Sequence, residues 1–251
     1  MNLPGVGEVS LAWAPSSEVD EGHAWLTPAE AAILGRFRVS KRAGDWRLGR
    51  WVAKEAVARA LGRSADGSSA AWSDHSLPRA MIEILAGPGG GPRAQVFAPG
   101  DWPAVAVSLS HSAGMGFAAA TVDDGGGMRI GCDVEEVAPR SEEFVSDYFT
   151  AEEAVWVRAT GEAAPPADQG LDDALGDRHL RANLLWSAKE SVLKALGEGL
   201  REDTRSVGVE VAAPVSADVA ASGWHPLSAS TATRESIAGC WQVADGLVWT
   251  V

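Results

Sequence analysis

An ungapped internal repeat is the strongest constraint on what this chain folds into. Trp51-Val52-Ala53-Lys54-Glu55-Ala56-Val57-Ala58-Arg59-Ala60-Leu61-Gly62 aligns with Trp186-Ser187-Ala188-Lys189-Glu190-Ser191-Val192-Leu193-Lys194-Ala195-Leu196-Gly197, and eight of the twelve positions are identical. A second pair precedes it, Leu26-Thr27-Pro28-Ala29-Glu30-Ala31 against Phe149-Thr150-Ala151-Glu152-Glu153-Ala154. The spacing between the two elements is 24 residues in the first copy and 36 in the second, and the loop Glu162–Gly170, with Pro165-Pro166, absorbs the difference. Ala, Lys and Glu recur in many helices because all three are good helix formers. Matching Trp and Gly at the same two ends makes duplication the better account. The chain then reads as two similar halves, residues 1–123 and 124–251. Sites tend to form in clefts between such units.

Local patterns place helices and strands in both halves. Val6 to Trp13 reads as a strand, as do Met81–Leu85, Val105–Ser110, Gly116–Val122 and Met128–Val134. Thr27-Pro28-Ala29-Glu30 carries the signature of a helix start, with Thr as the cap and Glu completing a capping box. A long helix is expected from about Lys41 to Leu61, and others near Glu142–Asp147, Ala151–Arg158 and Asp172–Leu196. The last 45 residues read as short strands, ending in a hairpin around Ala244-Asp245-Gly246.

Charge narrows the class of partner. The 251 residues carry a formal net charge of -13, which argues against a general nucleic-acid binder and against attachment to an anionic membrane by charge. From Arg36 to Arg63, however, nine basic residues face two acidic ones, so that this strip is +7 and the remainder is -20. An acidic protein with one basic strip has a place to dock something anionic. Two cysteines, Cys132 and Cys240, are too few for a disulfide framework and lie in no CxxC pattern, so a reduced, cytoplasmic protein is expected. The opening residues lack the basic start and apolar run of a signal peptide, and no apolar run is long enough to span a membrane.

Several residues have the spacing that chemistry needs. Asp133 and Glu135 are two apart, so on a strand both carboxylates share a face. They repel unless a cation or basic group lies between them, although a solvated strand face is the plainer account. Glu190 and Lys194 are four apart on a helix and share a face, as an ordinary surface ion pair also would. The first copy keeps Glu55 and Arg59 at those positions but has no Asp-x-Glu strand. Three carboxylates suit Mg2+, which also takes phosphate oxygens. Ser110 and His111 end an alternating strand, where His111 meets a phosphate, acts as a base or is simply structural. The glycine-rich turn Gly87–Pro92 lacks the GKS or GKT ending of a phosphate-binding loop, and no GxSxG elbow occurs.

Taken together these pieces resemble a 4'-phosphopantetheinyl transferase of the double-length, surfactin-synthetase type. The resemblance rests on Ser108-Leu109-Ser110-His111-Ser112, Gly131-Cys132-Asp133-Val134-Glu135, Phe149-Thr150-Ala151-Glu152-Glu153 and the motif from Trp186 to Lys194, in that order, and covers about residues 26 to 210. It implies an α+β fold of two similar halves related by pseudo-two-fold symmetry, with coenzyme A in the cleft between them. The implied reaction moves phosphopantetheine from coenzyme A to a serine of an apo acyl or peptidyl carrier protein and releases adenosine 3',5'-bisphosphate. By position, Asp133, Glu135 and Glu190 would hold Mg2+. Glu190 would also be the base, directly or through water, and Lys194 would meet the pyrophosphate. Ser110 and His111 would contact the phosphate or adenosine part of coenzyme A. Gly90-Gly91-Pro92 stands where the family usually has Gly-Lys-Pro, and Glu198 stands where it often has Lys. Lys41, Arg42 and Arg50 are candidates for the nucleotide phosphates. The duplicated chain implies a monomer, and carriers of fatty-acid, polyketide or non-ribosomal peptide synthesis are all open. A non-catalytic coenzyme A or carrier binder of the same fold and a metal-dependent pyrophosphate hydrolase are the alternatives.

Overall fold

The computed structural model describes residues 1–3, 5–62, 76–159, 178–197, 202–211, 223–231 and 236–251. The expected loop Glu162–Gly170 and the first turns of the helix expected from Asp172 lie outside them. Helices and sheets are mixed, as expected of an α+β chain. The chain divides into two compact units, one of Met1 with Glu8–Cys132, the other of Asn2–Gly7 with Asp133–Val251.

Two short strands come first, β1 (Asn2–Leu3) and β2 (Gly7–Glu8). The first unit then contains β3 (Ser10–Pro15), α1 (Pro28–Leu34), α2 (Ser40–Ala60), β4 (Ile82–Ala86), β5 (Pro92–Val96), β6 (Ala104–Ser112) and β7 (Met115–Asp123). β3, β7 and β6 form an antiparallel sheet in that order, and β4 pairs with β5 through the glycine-rich turn, which is a hairpin turn. α2 lies against all three strands of the sheet. Its Val52, Ala53, Ala56 and Val57 enter a core with Ala118, Ala120, Ile82 and Ile84. Gly116 on β7 permits the close approach, because a Cβ there would come within 2.7 Å of Leu48 and 3.2 Å of Val52.

The second unit contains β8 (Asp133–Glu136), α3 (Glu142–Tyr148), α4 (Ala151–Arg158), α5 (Arg178–Leu196), β9 (Val207–Val211), β10 (His225–Thr231), β11 (Ser236–Ala244) and β12 (Leu247–Thr250). Its five strands run in the order β8-β12-β11-β10-β9, all neighbours antiparallel. Asp245 and Gly246 turn β11 into β12 with φ of 54° and 74°, the left-handed pair that a two-residue hairpin needs. α5 packs on β8 and β12 and supplies Leu184, Leu185, Ala188 and Val192 to a core with Val209, Trp241 and Val248.

The strand expected over Met128–Val134 begins only at Asp133. The Asp123 carboxylate accepts from the amides of Gly125, Gly127 and Met128 and turns the chain there. The Cys132 amide then donates to the Ser108 hydroxyl instead of joining a ladder. The strand expected over Val6–Trp13 is likewise split into β2 and β3.

The repeat seen in the sequence builds the same buried arrangement in each unit. Thr27 and Glu30 form a capping box at the start of α1, and Thr150 and Glu153 form one at the start of α4. The Lys54 ammonium, fully buried, reaches Glu30 at 2.5 Å and also donates to the Trp25 and Arg79 carbonyls. Lys189, also fully buried, reaches Glu153 at 2.8 Å and donates to the Thr204 and Val207 carbonyls. Each glutamate spends its remaining oxygen on a strand amide, Ile84 at 2.9 Å for Glu30 and Val209 at 2.8 Å for Glu153. Each ammonium and each carboxylate oxygen of the two buried pairs thereby has a partner, which is the condition for a buried ion pair to be tolerated. Burial pulls the Lys54 ammonium down to about 8, with Glu30 opposing the shift.

Candidate functional site

β8 and α5 bring the second unit's sequence-predicted residues together. Asp133 and Glu135 stand opposite Thr250 and Val248 of β12 and turn to α5. There Lys194 donates to Asp133 at 2.7 Å, and the Trp186 indole N–H donates to Glu135 at 3.1 Å. Glu190 lies one helical turn before Lys194 on α5 and feels the charges of Lys194, Asp133 and Glu135. The carboxylates are therefore not on a solvated strand face: Asp133 is only 3% exposed and Glu135 is half-buried. Nor is Lys194 simply the surface partner of Glu190, since its ammonium goes to Asp133.

The electrostatics follow from this crowding. Burial raises the Glu135 carboxyl above its ordinary range, and neighbouring Asp133 adds to the rise, while Arg140, Trp186 and Lys194 oppose it. Burial also raises Glu190, with Lys194 lowering it and the two other carboxylates raising it further. Carboxylate oxygens are the hard, anionic donors that Mg2+ accepts. Among the described residues, however, no group of three or more His, Cys, Asp or Glu side chains is gathered closely enough to hold a metal. Lys194 supplies the positive charge at Asp133 here.

Two partners of this site were not found in the sequence. Arg140 reaches Glu135 at 3.5 Å, lies 4.7 Å over the Phe144 ring, and donates from Nε to Asn183 at 2.8 Å. Asn183 in turn donates to the Ala138 and His179 carbonyls, so the guanidinium is held from several sides. The Trp186 indole orients Glu135 as well. Trp186 lies 51 residues from Glu135 and Asn183 lies 43 from Arg140, with no periodicity to connect them.

The matching positions of the first unit are closed by cations. Glu55 is met by Arg59 at 2.8 Å and by Arg79 at 2.7 Å, and Arg79 covers the Trp51 ring at 3.9 Å. Lys41 and Arg42 are exposed in the first turn of α2, where Lys41 pairs with Asp45 at 3.3 Å. Arg50 is half-buried, lies 4.4 Å over the Trp46 ring, and is lowered to about 10 by burial. Ser110 is half-buried and His111 exposed near the end of β6, and Gly90 and Gly91 are exposed in the turn before Pro92. The basic strip is narrower than the sequence count, because Lys54 is buried and Arg59 is paired with Glu55. Arg63 lies outside the described residues.

Comparison with known proteins bears on the same segment. Residues 129–240 match the family model of the 4'-phosphopantetheinyl transferase superfamily, a little under half of the chain. No curated protein matches. A holo-(acyl-carrier-protein) synthase from Bacillus anthracis, solved in complex with CoA (3',5'-ADP), is similar at 20% identity and a TM-score of 0.37, covering 45% of this chain and 93% of its own. The Helicobacter pylori holo-[acyl-carrier-protein] synthase in complex with coenzyme A is 17% identical at a TM-score of 0.35, over 46% of this chain and all of its own. The Thermotoga maritima holo-[acyl-carrier-protein] synthase is 23% identical at 0.35, over 57% of this chain and 74% of its own. These structural likenesses are loose, and no residue role is taken from them. The family match spans Asp133, Glu135, Glu190 and Lys194. The match over residues 129–240 supports a 4'-phosphopantetheinyl transferase.

Proposed function

We propose that the chain transfers 4'-phosphopantetheine from coenzyme A to a serine of an apo acyl or peptidyl carrier protein, and does so with Mg2+ as a monomer. The observation that carries this reading is the placement of Asp133, Glu135, Glu190 and Lys194 on two facing elements inside the family-matched segment. The serine oxygen forms a bond to the phosphorus that bears the pantetheine. The phosphorus–oxygen bond to the nucleotide breaks, and adenosine 3',5'-bisphosphate leaves with the bonding pair. Such a displacement asks for charge neutralisation and alignment more than for a covalent protein partner. A serine hydroxyl is a poor nucleophile, and Glu190, raised by burial above its ordinary range, is suited to take its proton. Lys194 faces the developing negative charge. Mg2+, held by Asp133, Glu135 and Glu190, would neutralise the pyrophosphate. In the first unit, Lys41, Arg42 and Arg50 are proposed for the nucleotide phosphates, and Ser110, His111 and the turn Gly90-Gly91-Pro92 for the adenosine end.

The test is to incubate the protein with coenzyme A, Mg2+ and several apo carriers and to weigh each carrier. A gain of one phosphopantetheine is expected. No gain across acyl and peptidyl carriers would sink the proposal, and coenzyme A cleaved without such a gain would mark a hydrolase instead.

A further inference from the structure

The repeat differs at four of its twelve positions, and two of those differences place serines where the first copy has Val52 and Ala56. Both serines, Ser187 and Ser191, are buried on α5 one turn apart and meet the same residue of β12. Thr250 Oγ1 lies 2.9 Å from Ser187 Oγ and 2.6 Å from Ser191 Oγ, and donates to the Ser187 carbonyl at 3.0 Å. A threonine hydroxyl has one hydrogen and two lone pairs, so with its hydrogen on the carbonyl it accepts from both serines. Ser191 also lies 3.3 Å from the Thr250 carbonyl. Thr250 is fully buried and stands directly opposite Asp133 in the β8–β12 ladder. Lys194 lies one turn beyond Ser191 on the same stripe of α5 and reaches Asp133.

We propose that Thr250 is a positioning residue: with Ser187 and Ser191 it fixes the register of α5 on the sheet so that Lys194 meets Asp133. Apolar packing alone defines such a register loosely, whereas three hydroxyls at fixed distances admit one setting. The first unit shows the contrast. Val52 and Ala56 pack as plain core residues, and there Glu55 is held by two arginines and needs no such setting.

The consequence for catalysis rests on the transferase reading above, but the geometry does not, so the test reads both. Lysine side-chain NMR on the metal-free protein, with Lys194 assigned from Lys194→Arg, reports the ion pair without turnover. Thr250→Val is expected to move the Lys194 signal toward its position in Asp133→Asn, and Thr250→Ser to leave it as in wild type. In the transfer assay Thr250→Val is expected to lower kcat roughly 10-fold or more, with KM for coenzyme A within about twofold, and Thr250→Ser to restore it. A Lys194 signal unchanged in Thr250→Val overturns the proposal, whatever the activity. If Thr250→Val does not fold, S187V/S191A, which installs the first copy's residues, carries the same reading. A wild type that transfers nothing overturns the transferase reading and leaves the NMR result to decide this one.

Discussion

Lys194 and Asp133 are unequal partners, because Asp133 is nearly sealed from solvent while the Lys194 side chain keeps a quarter of its exposure. Removing the lysine leaves a buried carboxylate without this counter-charge. Removing the aspartate leaves an ammonium that reaches water. Lys194→Ala is therefore expected to cost about 3 kcal/mol of unfolding free energy. Asp133→Ala is expected to cost about 1 kcal/mol or less. Urea unfolding measures both, and Asp133→Ala is expected to abolish transfer while it folds. His225 gives a pH dependence of the second unit. Its ring is buried against Trp241 at 4.8 Å between centroids, and burial lowers it below the ordinary value of 6.5. As pH falls through about 6.5 the unfolded chain takes up a proton that the folded chain refuses. The stabilisation is complete above that pH and is lost below it. Urea midpoints should fall more steeply between about pH 7 and 5.5 for wild type than for His225→Phe. At this scale the four charged residues of the site were legible because two-residue and four-residue spacings fix a shared face. Arg140 and Thr250 were not: Arg140 meets Glu135 across the strand end and is held by the distant Asn183, and Thr250 meets Ser191 from 59 residues away, with no local period joining them.

The twelve-residue repeat is, in structure, the helix half of a buried lysine–glutamate pair whose other half is the capping box. That the two matched segments meet was not visible in the sequence, where Lys54 counted toward a basic strip. Its burial follows from the apolar residues on either side, Ala53 and Ala56 among them, which draw that face of α2 into the core. Lys54→Met and Lys189→Met each strand a buried carboxylate and are expected to cost about 3–5 kcal/mol, read as a drop in unfolding midpoint. Gly116→Ala tests the close approach of α2 to β7. Its new Cβ would fall 2.7 Å from Leu48 Cγ. Overpacking of that kind is expected to cost about 1–3 kcal/mol. The strand placed too early, over Met128–Val134, shows a limit of pattern reading. Apolar content marked the region, but the turn held by the Asp123 carboxylate decided where pairing begins.

Across the whole molecule, charge remains uneven after folding. Arg36, Arg38, Lys41 and Arg42 stay exposed on an otherwise acidic chain. If that patch meets an acidic carrier, KM for the carrier should rise with salt, and Arg42→Glu should raise it more than a charge reversal elsewhere on the surface. A transfer assay across a salt series checks both. Each unit carries its own core and its own buried pair. The two glutamates have one more effect. Val209 belongs to β9, the last strand of the five-stranded sheet, and Ile84 to β4, which among the described residues pairs only with β5. Outward-pointing amides of such strands are templates on which another chain can add a strand. Here Glu153 takes the Val209 amide and Glu30 the Ile84 amide, so each buried carboxylate also closes one strand amide to any added chain.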